Sequence, residues 1–133
     1  MPTVLIADDS PTIRGFARLA LRGLPEVLLL DAEDGVQALA LLRQHPVALA
    51  LIDVNMPNLD GLGVLRALRQ DPEPLLRALP VLLLTAERSE QLRADCLAAG
   101  AKGFTGFLDK PLRLADLKAR VEELLADHAG GPR

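Results

Sequence analysis

The sequence predicts an α/β domain, (βα)5 in plan, in which a five-stranded parallel sheet is doubly wound, with helices on both faces. Two observations predict it. Short apolar runs that are continuous rather than alternating recur along the chain, the pattern of strands covered on both faces. Between them the apolar spacing changes to that of a helix stripe. Strands and helices that alternate in this way are joined by crossovers, which connect parallel neighbours.

The first run, Val4 to Ala7, is followed by Ile13, Phe16, Ala17, Ala20, Leu21 and Leu24, which draw one apolar stripe. Asp9 or Ser10 can cap this helix, and Pro11 suits its first turn. The second run is Val27 to Leu30, and Val36, Leu39 and Leu42 mark a second helix opened by Asp34-Gly35. The third run, Val47 to Ile52, leads into a loop carrying Pro57 and Gly61, then a helix marked by Leu62, Leu65 and Leu68. From Gln70 to Leu79 the chain is longer and richer in proline than a tight connection needs, and reads as a surface loop or helical turn. Val81 to Leu84 is the fourth run; Leu92, Cys96 and Ala99 mark a fourth helix stopped by Gly100. The fifth run, Phe104 to Leu108, is broken up by Gly103 and Gly106, with a bulge expected at Gly106. Leu114, Leu117, Val121, Leu124 and Leu125 give the last helix. One domain is expected over 3–127, followed by a short flexible tail over 128–133.

Composition narrows the function. The chain has 133 residues with half of them apolar, three Phe, and neither Trp nor Tyr, so it lacks stacking platforms for bases or sugars. Its net charge of −3 gives no basic footprint for direct binding of nucleic acid. Cys96 is the single cysteine and forms neither an internal disulfide nor a metal-ligand set, which fits a reducing, cytoplasmic setting. No apolar run approaches the roughly 20 residues of a membrane span, and the start of the chain lacks the pattern of a signal peptide.

In a doubly wound sheet, ligands bind at the carboxyl ends of the strands, near the point where strand order reverses. Reading off those ends gives Asp8 and Asp9 after the first run, Asp53 after the third, Thr85 after the fourth and Lys110 after the fifth. Three converging carboxylates repel one another unless a cation neutralises them. Mg²⁺ suits them, because it takes oxygen ligands and needs only one or two carboxylates beside phosphate oxygens. Lys110 adds a fixed positive charge for a phosphoryl oxygen, and Thr85 adds a hydroxyl hydrogen bond. In such a site a carboxylate can attack phosphorus and form an aspartyl-phosphate. Asp53 stands alone at its strand end and is the best placed nucleophile, while Asp8 and Asp9 sit side by side as metal ligands would.

The acidic pair in LIADDS, the stretch DVNMPNLDG from Asp53, the strand end LLLTAE and the pair Lys110-Pro111 resemble, in order and spacing, the response-regulator receiver domains of two-component signalling. The likeness runs from about Thr3 to Leu125 and includes the chemotaxis regulators. It implies a flavodoxin-like fold, with Asp53 as the phosphoacceptor. It also implies Mg²⁺ held directly by Asp9, Asp53 and the Asn55 main-chain carbonyl, with Asp8 acting through a water. Lys110 would pair with the phosphoryl group, and the Lys110-Pro111 bond would be cis. The side chains of Asn55 and Glu87 would tune the lifetime of the phosphoryl group, with Ala86 leaving it accessible. Thr85 would couple phosphorylation to an aromatic residue on the last strand, Phe107 by its distance from Lys110. The expected phosphoryl source is a histidine kinase or phosphotransfer protein, and the expected output is a protein contact through the fourth helix, fifth strand and fifth helix. The chain would be a stoichiometric acceptor with weak self-dephosphorylation rather than an enzyme, and a monomer or weak dimer.

The stretch GAKGFTGFLDKP holds about three residues more than the family's pattern, so that either Phe104 or Phe107 can fill the switch position. Lys102-Gly103 replaces the acidic pair that supports dimers in many DNA-binding regulators. Taken singly, Asp9 reads first as a helix cap, a reading that the adjacent Asp8 and the distant Asp53 reverse, while Cys96 reads as a packing residue and the arginines of the first helix and of LRALRQ as a solvated face. A phosphohydrolase of similar fold usually carries a second Asp where this chain has Asn55, and a cap domain that 133 residues leave no room for. A flavin-binding protein would need a phosphate loop where Asp8 and Asp9 stand. The remaining alternative is an interaction domain on the same fold that works without phosphorylation.

Overall fold

The computed structural model describes residues 2–24, 26–86, 89–100 and 104–130. In chain order the elements are β1 (Thr3–Ala7), α1 (Pro11–Leu21), β2 (Leu28–Ala32), α2 (Gly35–Gln44), β3 (Leu49–Asp53) and α3 (Gly61–Arg69). There follow a helical turn at Pro74–Arg77, β4 (Val81–Thr85), α4 (Glu90–Gly100), β5 (Phe104–Asp109) and α5 (Leu114–Gly130). The five strands form one parallel sheet in the order β2-β1-β3-β4-β5. Strand order therefore reverses between β1 and β3, and the crevice for a ligand lies at their carboxyl ends.

Side chains alternate across the sheet and divide the core in two. Leu5, Ala7, Ala50, Ile52, Val81 and Leu83 face α2, α3 and α4, where Ala38, Leu42, Val64, Leu65, Leu68 and Cys96 meet them. Val4, Ile6, Leu49, Leu51, Leu82 and Leu84 face α1 and α5 through Ala17, Ala20, Leu21, Leu117 and Val121. Both central strands are wholly buried, which is why they read as continuous apolar runs.

Local chemistry sets the element boundaries. Of the two candidate caps for α1, Ser10 fills the position, its hydroxyl accepting from the Ile13 amide at 3.3 Å. Leu24 packs against the core from beyond the helix end. The second strand is shifted from the expected Val27–Leu30 to Leu28–Ala32 and takes in Asp31, a charge that an edge strand tolerates because it meets the α1 arginines at the surface. On α2 the expected stripe holds at Leu39 and Leu42 but is rotated at its start, where Gly35 and Ala38 are buried and Val36 is 57% exposed. The Asp34 cap and the close approach of Gly35 to Leu59 turn the helix this way. The expected bulge in β5 is present, since Val81 pairs with Phe104 but Leu82 pairs with Gly106, and Gly106 has φ +124°. The last helix is assigned as far as Gly130, three residues into the expected tail, and 131–133 lie outside the described residues. No described helix is long and apolar enough to cross a membrane.

Two arginines expected on a solvated face are bound into the fold. Arg69 donates to the main-chain carbonyls of Leu76 and Leu79 at 3.2 and 2.9 Å and ties the proline-rich segment to α3. Arg14 reaches back to the end of β1.

Candidate phosphoryl-transfer site

At the carboxyl edge of the sheet, Asp8 and Asp9 follow β1 and Asp53 ends β3. Asp8 and Asp53 are buried and Asp9 is exposed. One ligand oxygen from each of the three lies within 4.8 Å of the others. The sequence thus brings together the three carboxylates it was expected to, from two neighbouring strands.

Lys110, just past β5, bridges two of them: its Nζ lies 2.9 Å from Asp8 Oδ2 and 3.1 Å from Asp53 Oδ1. Its main-chain amide donates to the Thr85 carbonyl at 2.8 Å, and its bond to Pro111 is cis, as expected. The bridge shapes the electrostatics. Burial pushes the Asp53 carboxyl above its ordinary value; the Lys110 hydrogen bond and charge oppose this, and the Asp8 charge reinforces it. For Lys110, burial alone would lower the ammonium's value, but hydrogen bonds and charges from Asp8 and Asp53 hold it above the usual range. The site is a buried excess of negative charge, only partly offset by one ammonium.

The remaining positions are fixed from the backbone. Asp8 Oδ1 accepts from the Ser10 amide at 2.9 Å. Asp53 Oδ1 accepts from the Asn55 amide at 3.4 Å, which sets the start of the loop after β3. Among the described residues no hydrogen bond reaches Oδ2 of Asp53. Thr85 is buried at the end of β4 and pairs with Asp109. Phe107 pairs with Leu83 and is buried in the layer covered by α2, α3 and α4. Glu87 and the Lys102-Gly103 pair lie outside the described residues, as does the side chain of Phe104.

Two features of the site escape a reading by strand ends. The loop after β3 is pinned to α2: Asp34 caps that helix through the Gln37 amide at 2.8 Å and accepts from the Asn58 side chain at 2.8 Å. Asn58 itself adopts φ +69°, and the Gly35 amide donates to the Leu59 carbonyl at 3.1 Å. A Cβ on Gly35 would lie 2.3 Å from that carbonyl, and one on Gly61 would lie 2.5 Å from the Asp53 carbonyl. The Asp-Gly pair at 34–35 was visible as a helix start, but its contact with Leu59 is tertiary. The second feature is Arg14, whose side chain is 13% exposed and whose guanidinium donates to the Asp8 carbonyl at 2.6 Å. Its place beside the Ile13–Ala17 stripe was the only signal for it.

The family model for the response regulator receiver domain matches residues 4–122. The chemotaxis protein CheY-3 of Vibrio cholerae is 34% identical over 121 residues, 91% of this chain and 89% of that protein. The chemotaxis protein CheY of Pseudomonas aeruginosa is 35% identical over the same length, 91% of this chain and 94% of that protein. Among solved structures, the chemotaxis protein CheY4 of Vibrio cholerae is similar with a TM-score of 0.83 and 30% identity, covering 93% of this chain and 98% of that one. The receiver domain of the sensor histidine kinase PA1611 of Pseudomonas aeruginosa, described with a magnesium ion coordinated in its active-site cleft, has a TM-score of 0.79 at 26% identity. It covers 94% of this chain and 98% of that one.

Proposed function

The chain belongs to the response-regulator receiver family, and from that membership we propose that Asp53 accepts a phosphoryl group from the phosphohistidine of a histidine kinase or phosphotransfer protein. The observation that carries this reading is the convergence of Asp8, Asp9 and Asp53 with Lys110 bridging two of them. An all-oxygen donor set with a surplus of buried negative charge fits a hard divalent ion. Asp9, Asp53 and the Asn55 main-chain carbonyl would hold Mg²⁺, and Asp8 would act through a water. Bound there, the ion neutralises charge on the carboxylates and on the phosphoryl oxygens.

The chain's own residues do the rest. Lys110 and the Asn55 amide hold Oδ1 of Asp53, which leaves Oδ2 to attack phosphorus. The new P–O bond forms as the donor's P–N bond breaks, and the electron pair departs on the imidazole nitrogen, which takes up a proton from solvent. Lys110 then transfers its contact from carboxylate to phosphoryl oxygen, and the Thr85 hydroxyl donates to another. Drawn towards the phosphoryl group, Thr85 shifts within the layer it shares with Phe107, and the ring repacks. That repacking alters the face formed by α4, β5 and α5, where an output protein docks. Water later attacks the aspartyl-phosphate, with Asn55 and Glu87 setting the rate. The chemistry is stoichiometric.

The test is intact mass after incubation with Mg²⁺ and acetyl phosphate. Wild type gains one phosphoryl group, while Asp53→Asn, and wild type without Mg²⁺, gain none. Unmodified wild type, with no response to beryllofluoride, would replace this reading with a phosphorylation-independent interaction domain.

A further inference from the structure

We propose that Arg14 is a positioning residue for the metal site: it fixes the Asp8–Asp9 peptide, and thereby the two carboxylates on either side of it, through the Asp8 main-chain carbonyl. The inference rests on the reading of Asp8, Asp9 and Asp53 as a Mg²⁺ site and goes beyond it to a side chain that touches none of the three carboxylates.

The ladder ends within Asp8: its amide still donates to the Ala32 carbonyl at 3.1 Å, but Ala7 is the last strand residue. The Asp8 carbonyl therefore needs a partner, and Arg14, one turn into α1, supplies it at 2.6 Å. The side chain of the same residue is held by the Ser10 amide, which donates to Asp8 Oδ1. Asp8 is thus fixed at its carbonyl by Arg14 and at its carboxylate by Ser10 and Lys110. Exposed Asp9 gains its orientation from the peptide that precedes it.

Arg14 is itself held in place. Its Nε lies 3.7 Å from Asp31 Oδ2 and its NH2 lies 3.8 Å from Glu33 Oε1, so that two carboxylates from the second strand and its loop offset its charge. Arg18 shares Asp31, at 2.8 Å, but is half exposed and has no contact with Asp8 among the described residues. The pair forms an internal control: both carry positive charge on the same face of α1, and one of them grips the site.

Charge and positioning predict opposite signs. Removing a nearby cation would by electrostatics alone tighten binding of a divalent ion, whereas loosening the peptide that carries two of its ligands weakens it. Partners of metal ligands that act from outside the ligand set commonly alter affinity by about tenfold or more.

The experiment is a calorimetric Mg²⁺ titration of wild type, Arg14→Met, Arg14→Lys and Arg18→Met, with thermal melts followed by circular dichroism to confirm folding. Methionine keeps the aliphatic packing of the arginine stem and removes the donor. We expect the Kd of Arg14→Met to rise roughly tenfold, that of Arg14→Lys, with one donor and no fork, to fall between Arg14→Met and wild type, and that of Arg18→Met to stay at or below wild type. Wild-type affinity in Arg14→Met, or in Arg14→Lys should Arg14→Met not fold, overturns the inference while leaving the metal reading intact. A wild-type protein that takes up no Mg²⁺ overturns both.

Discussion

Asp34 and Asp53 are both buried carboxylates, yet their surroundings drive their protons in opposite directions. The Gln37 amide and the Asn58 side chain hold Asp34 below its ordinary value of 3.8 against the effect of burial, while burial carries Asp53 above it. A lowered value means that Asp34 contributes stability above pH 3.8, and that this contribution is lost as pH falls through its folded value. A raised value means that Asp53 costs stability progressively as pH rises from 3.8 to its own folded value, because the unfolded chain ionises first. In Mg²⁺-free buffer, Asp34→Ala should therefore melt below wild type at pH 7, and Asp53→Asn should melt above it. Both differences should narrow on acidification below pH 3.8. Lys110, held above its usual range, stays charged throughout this window, so its own titration adds no pH dependence there. Melting curves at pH 7 and pH 3, followed by circular dichroism since the chain has neither Trp nor Tyr, check both signs. Equal melting temperatures for Asp53→Asn and wild type at pH 7 would mean that burial does not govern that carboxylate.

Glycines separate the demands of an element from those of its neighbours. Gly15 lies in the exposed interior of α1 with nothing within 4 Å of an added Cβ, so Gly15→Ala should stabilise the protein by about 0.5–1 kcal/mol through helix entropy alone. Gly35 opens α2, where a Cβ would overlap the Leu59 carbonyl and approach Val64 at 2.8 Å. Gly35→Ala should cost about 1–3 kcal/mol and disturb the loop that begins at Asn55. Urea unfolding of the two variants decides both signs. The comparison also explains what was legible in the sequence. The buried strands β1, β3 and β4 could be read from continuous apolar runs, and their ends named the carboxylates and Thr85, while the weaker fifth run led to Lys110. The edge strand β2 was misplaced because half its surface meets water and admits Asp31. The rotation of α2, the Arg69 contacts and the Arg14 grip on Asp8 were not legible, because each depends on a carbonyl that only the folded chain brings near.

The sheet as a whole separates two apolar layers whose side chains alternate from every central strand. A wall of hydrogen-bonded backbone transmits little of a packing change from one side to the other, and sites without shared partners behave additively to within about 0.5 kcal/mol. Val64 on α3 and Val121 on α5 are both fully buried, one in each layer. Val64→Ala and Val121→Ala should each cost roughly 1–3 kcal/mol in urea unfolding, and the double variant should cost their sum. For a switch this separation has a use. Phe107 lies in the layer of α2, α3 and α4, whereas α5 belongs to the other, so in the proposed switch a signal from Thr85 and Phe107 to α5 would travel around the sheet through β5 and the Lys110-Pro111 segment. If the double variant departs from additivity by more than about 1 kcal/mol, the layers communicate directly through β3 and β4, and the route through β5 is not required.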